Sequence, residues 1–284
     1  MDISSETKIV GLIGNPVEHS MSPSMQNPAF QQKGLNYAYV TFKVEEKNIE
    51  KALEGIKGLE IEGVNVTIPH KSSVIPHLDN IENTAKKIGA VNTIKREKNE
   101  LVGHNTDGKG ALKSLKNNVG EIKNKKVLML GAGGAAKAIG YTLVENGATL
   151  TISNRSEEKG KNLASEISEK TSTEVEHISQ KNQTLKKEIK KHDILVDSTS
   201  VGMHPNEDQT LLKSEMMDED LIVMDIVYNP KKTKLLREAE KAGATTISGL
   251  EMLVYQGAES FEIWTGENAP IEVMLKKAEE ALEG

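Results

Sequence analysis

A βαβ pattern in residues 126–155 constrains the fold of this chain more than any other stretch. The apolar run 127–130 is long enough for a buried parallel strand. The sequence Gly-Ala-Gly-Gly-Ala-Ala follows at 131–136, and a helical pattern then runs as far as Gly147. Residues 149–153 make a second strand. The order strand, helix, strand predicts a parallel sheet of the Rossmann type.

The glycine-rich turn between this strand and this helix suits the phosphates of a dinucleotide. Gly131 permits the tight turn, and Gly133 lets the backbone approach a pyrophosphate. Ala136 is small enough for close packing of helix and strand, and the free N–H groups of the helix N-terminus face the anion. The turn predicts dinucleotide binding. The alternative is a tight turn in a flavodoxin-like sheet without a ligand.

The residues after the second strand favour NADP over NAD. Enzymes that use NAD usually carry an acidic residue there, which binds the ribose 2′-hydroxyl. This chain has Asn154, Arg155 and Ser156, with Lys159 one turn further on. An arginine can hold a phosphate through two hydrogen bonds. The alternative is that Arg155 and Lys159 are solvated surface charges.

Composition excludes several classes of protein and site. The 284 residues are enough for two domains, and the net charge of −6 gives no support for nucleic-acid binding. No cysteine is present, which excludes disulfides, thiolate metal sites and cysteine nucleophiles. Residues 1–10 have neither a basic segment nor a long apolar core, so they are not expected to be a signal peptide, and no apolar run approaches the ~18 residues of a membrane span. The sequence therefore predicts a cytoplasmic protein with no membrane partner and no metal.

Four polar positions before the glycine turn are candidates for ligand contacts. Ser22 precedes a proline and suits a helix N-cap, but together with Ser20 it could instead grip a carboxylate or a polyol. Lys71 follows the strand in GVNVTIP, where open α/β sheets place ligand contacts, although an exposed lysine is the default there. Asn92 interrupts an apolar strand, so its amide needs a partner.

Other elements follow from periodicity and from turn residues. A helix is predicted at 79–88 and a strand at 89–94. Three further strands of the dinucleotide-binding domain are predicted at 193–197, 221–228 and 245–248, and a polar region follows the helix that ends near 167.

The motifs resemble those of the shikimate dehydrogenase family across nearly the whole chain. They are, in order, GNPVEHSMSP, GVNVTIPHK, GAVNT, HNTDG, GAGGAA, NRS, STSVGM, DIVYNP and GLEMLVYQGAESF. The resemblance implies an α/β enzyme with an N-terminal substrate domain, a doubly wound Rossmann-type NADP-binding domain and an active site in the cleft between them. Residues 1–106 would form the substrate domain, completed by helices in 250–284, and residues 107–249 would form the NADP domain.

The resemblance also implies a role for each candidate residue. Ser20 and Ser22 would bind the substrate carboxylate, Lys71 would be catalytic with Asp107 as its partner, and Asn65 would be a neighbour of the site. The positions that would contact the ring hydroxyls or lie near the carboxylate are Thr67, Asn92, Gln256 and Tyr228. The cofactor positions are Gly131, Ala132, Gly133, Gly134, Ala135, Asn154, Arg155, Ser156, Lys159, Ile226 and Gly249.

The implied reaction is the reversible NADPH-dependent reduction of 3-dehydroshikimate to shikimate. Lys71 would exchange the proton of the alcohol, and whether it acts as an acid–base or mainly as an anchor is left open. The alternatives are a quinate/shikimate dehydrogenase of broader specificity, a non-catalytic NADP-binding sensor and a methylene-tetrahydrofolate dehydrogenase, in which the serine pair would have no role. A homodimer is compatible with the sequence, which does not fix the oligomeric state.

Overall fold

The computed structural model describes residues 3–283, except for the side chain of Glu283. It has two compact units, one made of the described residues up to Thr106 and from Val254 onward, the other of Asp107–Leu253. The strands are β1 Lys8–Gly14, β2 Tyr37–Lys43, β3 Gly63–Val66, β4 Asn80–Ile81, β5 Thr93–Glu97, β6 Glu100–His104, β7 Lys126–Leu130, β8 Thr149–Asn154, β9 Glu176–Ser179, β10 Ile194–Asp197, β11 Ile222–Asp225 and β12 Thr245–Ile247. The α-helices are α1 Ser22–Gln32, α2 Ile49–Gly58, α3 Asn83–Ile88, α4 Asp107–Val119, α5 Gly134–Glu145, α6 Glu157–Thr171, α7 Asn182–Glu188, α8 Lys234–Lys241, α9 Gly249–Thr265 and α10 Ile271–Glu283.

The first unit is built on a mixed sheet with the strand order β2-β1-β3-β5-β6-β4. Strands β1, β2 and β3 are parallel, whereas β5 runs antiparallel to both β3 and β6. Helix α2 presents Ile49, Leu53 and Ile56 to the core, at the spacing of one helical face. Phe30 of α1 stacks on Phe261 of α9, with ring centroids 5.0 Å apart. The sheet therefore positions the loops that follow β1, β3 and β6.

The second unit is a parallel sheet with the strand order β12-β11-β10-β7-β8-β9. This is the doubly wound Rossmann order, in which the direction of winding reverses between β7 and β10. Separate apolar cores cover the two faces, one including Leu115, Ile139 and Ile167, the other including Leu185, Leu212 and Leu236. Ligands of such sheets bind outside the carboxyl ends of the strands at the reversal point.

The structure differs from the sequence-based elements in four places. Of the strand predicted at 221–228, only Ile222–Asp225 is a strand. The predicted helix at 79–88 begins only at Asn83, because the Asp79 carboxylate accepts the Leu101 N–H at 2.7 Å and residues 80–81 pair with β6. The predicted strand at 89–94 begins only at Thr93, since Gly89 closes α3 in the left-handed region. The polar region after α6 contains β9, an edge strand with no fully buried residue. No helix among the described residues has the length and apolar character needed to span a bilayer.

Candidate active site

A short turn after β3 holds Lys71 at the end of the strand. The His70 N–H donates to the Thr67 carbonyl at 2.8 Å, and the Val91 N–H donates to the Lys71 carbonyl at 2.8 Å. His70 is fully buried, and its Nε2 donates to the Val44 carbonyl at 2.7 Å. The Lys71 side chain is half-buried. The backbone of this turn is therefore fixed on both sides of the lysine, whatever its side chain does.

Ser22 does not cap α1, so that part of the sequence-based interpretation is wrong. The N-cap is Met21, which makes no side-chain cap bond, and Ser22 is the first residue of the helix with 7% of its surface exposed. The Ser22 side chain turns inward to the phenol of Tyr39, and its N–H lies 3.3 Å from the Ser20 hydroxyl. The ligand alternative for the two serines stays a prediction, with Ser20 just before α1 and Ser22 as its first residue.

Asn92 finds the partners that its place between apolar residues requires. The Thr106 N–H donates to Asn92 Oδ1 at 2.7 Å, and Asn92 Nδ2 donates to the Thr106 hydroxyl at 2.9 Å. Because a backbone N–H can only donate, this pair fixes which way the amide points. Asn92 Nδ2 also lies 3.4 Å from Gln256 Oε1. Asn92 and Gln256, far apart in the chain, are thus neighbours.

Four buried polar side chains beneath Asn92 complete this cluster. Asn65 Nδ2 lies 2.9 Å from the Ser260 hydroxyl and 3.1 Å from the Thr93 hydroxyl, while Asn65 Oδ1 accepts the Tyr39 hydroxyl at 2.8 Å. The amide of Asn65 is therefore committed inside the protein. Sequence reasoning missed Tyr39, Thr93 and Ser260. A signal for Ser260 was available, because it lies four residues after Gln256 and hence on the same helical face.

The glycine turn of the second unit has the shape that a pyrophosphate needs. Gly131 has a φ of +108°, and a Cβ there would lie 2.6 Å from the Ser198 hydroxyl. Gly133 is the N-cap of α5 and makes no side-chain cap bond. A Cβ added to Gly133 or Gly134 would meet no atom within 4 Å, so the space in front of the helix N-terminus is open. These residues fit the phosphates of NADP.

The alanines of the turn lie between this opening and the core. Ala132 and Ala135 are partly buried against the apolar core, and Ala136 is fully buried within it. Ala136 therefore packs helix against strand, as the sequence predicts.

The loop after β8 presents two cations to solvent. Arg155 and Lys159 are exposed, and Arg155 makes no ion pair with any residue in the described part of the chain. Asn154 Nδ2 donates to the Ser156 carbonyl at 2.9 Å, and the Ser156 hydroxyl caps α6 by accepting the Lys159 N–H at 3.4 Å. Asn154 and Ser156 thus hold the backbone of the loop, and the exposed side chains of Arg155 and Lys159 can contact a phosphate.

Ile226 and Gly249 come together at the carboxyl edge of the same sheet. A Cβ on Gly249 would lie 2.3 Å from the Ile226 carbonyl oxygen, so the start of α9 tolerates only glycine. Tyr228, two residues after Ile226, is half-buried, and burial raises the pKa of its phenol. The positions at β11 and α9 that the resemblance gives to the cofactor are therefore adjacent.

A pair of buried carboxyl groups, which sequence reasoning missed, supports these loops. Asp197 and Asp225 end β10 and β11 and are partners in the parallel register. The Thr199 N–H donates to Asp197 at 2.9 Å, and the Val227 N–H and the Thr233 hydroxyl donate to Asp225 at 2.9 and 2.6 Å. Burial raises the pKa of Asp197 to about 6, and burial together with the Asp197 charge raises that of Asp225 to about 7.

This pair predicts that stability falls as the pH rises. Between the unfolded pKa near 4 and the folded values of about 6 and 7, the native state binds more protons than the unfolded state. Unfolding free energy should therefore decrease from about pH 4 to about pH 7. Asparagine at position 225 cannot ionise. The unfolding free energy of Asp225→Asn should therefore fall less than that of wild type between pH 4 and pH 7, by on the order of a few kcal/mol.

Urea unfolding at a series of pH values measures the effect. Asp220→Asn is the matched control, because Asp220 is exposed in the same unit. Parallel curves for wild type and Asp225→Asn would contradict the assignment to this pair.

Family models match three segments of the chain. Residues 12–94 match the shikimate dehydrogenase substrate binding domain, 113–252 match shikimate / quinate 5-dehydrogenase, and 249–279 match the shikimate 5′-dehydrogenase C-terminal domain. A shikimate dehydrogenase (NADP(+)) of Methanopyrus kandleri is 47% identical over 99% of this chain and 98% of its own length. This chain belongs to the shikimate dehydrogenase family.

Solved structures of the family share the fold over the full length. A shikimate dehydrogenase crystallised with NADP⁺ superposes with a TM-score of 0.95 at 45% identity, covering 99% of this chain and 98% of that one. The Listeria monocytogenes shikimate 5-dehydrogenase, in complex with shikimate and NAD, gives a TM-score of 0.92 at 37% identity and covers 97% and 98%. The α/β class and the Rossmann-type unit predicted from sequence are confirmed.

Proposed function

We propose that this protein catalyses the reversible NADPH-dependent reduction of 3-dehydroshikimate to shikimate. The 47% identity to a shikimate dehydrogenase (NADP(+)) over nearly the whole chain carries the proposal. The open glycine turn and the exposed Arg155 support the choice of NADP, because the 2′-phosphate is what separates it from NAD. The unit that contains β1–β6 binds the cyclic acid, and the unit that contains β7–β12 binds the cofactor.

Each ligand group has a side chain of suitable chemistry in the first unit. The hydroxyls of Ser20 and Ser22 are assigned to the carboxylate, and the Ser22 hydroxyl turns to it from the phenol of Tyr39. The ring hydroxyls are read by Thr67, Asn92 and Gln256. The contact between Asn92 and Gln256 is long, at 3.4 Å, so a ring hydroxyl can replace it at little cost.

Proton transfer is assigned to Lys71 and Asp107. NADPH supplies the hydride when it is bound. The Lys71 ammonium gives the proton to the carbonyl oxygen during reduction, and the neutral amine takes it back during oxidation. The rigid turn from Thr67 to Lys71 lowers the entropy cost of aiming the amine, because its backbone is already hydrogen-bonded.

An assay of the purified protein with each of shikimate and quinate, and each of NADP⁺ and NAD⁺, tests the function. The largest kcat/KM is expected for shikimate with NADP⁺. The family model that names both acids is the reason to include quinate. Comparable turnover of both acids would favour the broader quinate/shikimate activity. Absence of turnover with all four combinations would contradict the proposal and favour a sensor that binds NADP without chemistry.

A further inference from the structure

Ser260 occupies the centre of the buried polar cluster in the first unit. It is fully buried on α9, and its hydroxyl lies 3.0 Å from the Gln256 carbonyl one turn earlier. The same hydroxyl lies 2.8 Å from the Thr93 hydroxyl and 2.9 Å from Asn65 Nδ2. One small side chain thus joins the helix that carries Gln256 to strands β3 and β5.

The Ser260 hydroxyl has a single proton, and its neighbours decide where that proton points. The Gln256 carbonyl only accepts, so the Ser260 hydroxyl donates to it. Asn65 Nδ2 donates to Ser260. The Thr93 hydroxyl lies 2.8 Å from the Ser260 hydroxyl and 3.1 Å from Asn92 Oδ1, so its one proton is shared between Ser260 and the amide of Asn92. The Thr106 hydroxyl lies 3.4 Å from Ser260 as well, and Ser260 is fully buried, so its contacts are to protein groups.

We propose that Ser260 is a positioning residue for substrate recognition, acting through Asn92 and Gln256. This inference rests on the proposed function and deepens it. Asn65 also donates to the Asn92 carbonyl at 3.2 Å, and Thr93 follows Asn92 in the chain, so Ser260 fixes α9 against the backbone that carries Asn92. The two recognising amides stand 3.4 Å apart, and a shift of about 1 Å between their supports is enough to spoil a shared contact to a ring hydroxyl.

Helix α9 itself provides a matched control. Thr265 makes the same kind of bond as Ser260, from its hydroxyl to the Phe261 carbonyl one turn earlier at 2.8 Å. Within the described residues, the Thr265 hydroxyl bonds to Phe261 and Glu267, and not to Asn65, Thr93 or the recognising amides. Thr265→Val therefore removes a hydroxyl-to-helix bond without touching the cluster.

The experiment compares Ser260→Ala and Thr93→Val with Thr93→Ser and Thr265→Val in the full chain. Both of the first two variants should raise the shikimate KM about tenfold, the size expected for one lost hydrogen bond, with kcat and the NADP⁺ KM within about twofold of wild type. Thr93→Ser keeps the hydroxyl and should restore the wild-type KM. Isothermal titration with shikimate, with and without NADP⁺, should show the same rise in Kd, and melting temperatures establish that each variant is folded.

The outcomes separate this inference from the proposed function. An active wild type whose shikimate KM and Kd are unchanged in folded Ser260→Ala and Thr93→Val overturns the positioning role alone. An equal rise in Thr265→Val overturns it too, because loosening of α9 anywhere would then suffice. A wild type that neither binds nor turns over shikimate or quinate removes the proposed function, and the inference with it. If Ser260→Ala does not fold, Ser260→Cys, which replaces the hydroxyl by a weakly hydrogen-bonding thiol, takes its place in the same comparison, because Thr93 also contacts Asn92 directly.

Discussion

Lys71→Met is expected to lower kcat for shikimate oxidation by about 10²–10⁴-fold, which is the usual contribution of a positioned proton donor or acceptor. Methionine keeps an unbranched stem but has no amine. The turn around Lys71 should survive, because it is held by backbone bonds from His70 to Thr67 and from Val91 to Lys71. The shikimate KM should change far less than kcat, and the NADP⁺ KM should stay near wild type, because the glycine turn that binds the phosphates is built from other residues.

Lys86→Met is the control for this prediction. Lys86 is exposed on α3 of the same unit, so the same substitution there removes a cation without removing a proposed site residue. Steady-state kinetics in both directions, with circular dichroism as the test of folding, gives the comparison. Near-normal kcat in folded Lys71→Met would show that the lysine does not transfer the proton, and a loss confined to KM would make it an anchor for a ring hydroxyl.

The sequence predicted the second unit well because its signals are local. The apolar run of β7, the glycine turn and the start of α5 are contiguous, and each is recognisable without the rest of the fold. Strand β9 was missed because an edge strand with no fully buried residue has no apolar alternation to detect. The predicted helix at 79–88 was too long because β4 depends on pairing with residues 102–103, more than twenty positions away.

The motifs of the candidate site could be recognised in the sequence, whereas the buried residues that hold its side chains in place could not. Lys71, Asn92 and Gln256 lie in recognisable motifs, and the structure brings Asn92 beside Gln256. The contact from Asn65 to Ser260 spans 195 positions, and no periodicity carries such information. Ser22 was a plausible cap by local pattern, but tertiary burial beside Tyr39 decides its orientation instead.

The sequence contains a pattern from which the pairing of Asp197 with Asp225, at the ends of β10 and β11, could have been predicted. Both follow three apolar residues, as in ILVD and IVMD, so an in-register parallel sheet must bring them side by side. A carboxyl group at that position is buried by its strand and close to a like charge, and both effects favour its neutral form.

Arg155→Ala is expected to raise the KM for NADP⁺ by roughly tenfold to a hundredfold, the range for losing charge-assisted hydrogen bonds to a phosphate. Kinetic parameters with NAD⁺ should stay nearly unchanged, because NAD⁺ has a hydroxyl where NADP⁺ has the 2′-phosphate. The loop should keep its shape, since Asn154 and Ser156 hold it through bonds that do not involve the guanidinium.

Arg237→Ala is the control, because Arg237 is an exposed arginine of the same unit on α8. Initial rates with both cofactors at two ionic strengths measure the effect. The advantage of wild type over Arg155→Ala should shrink at high salt, because screening weakens an exposed ion pair, whereas a loss of loop structure would be insensitive to salt. Equal changes in the NADP⁺ and NAD⁺ parameters would mean that Arg155 supports the adenosine site in general, and the choice of NADP would then have to come from Lys159.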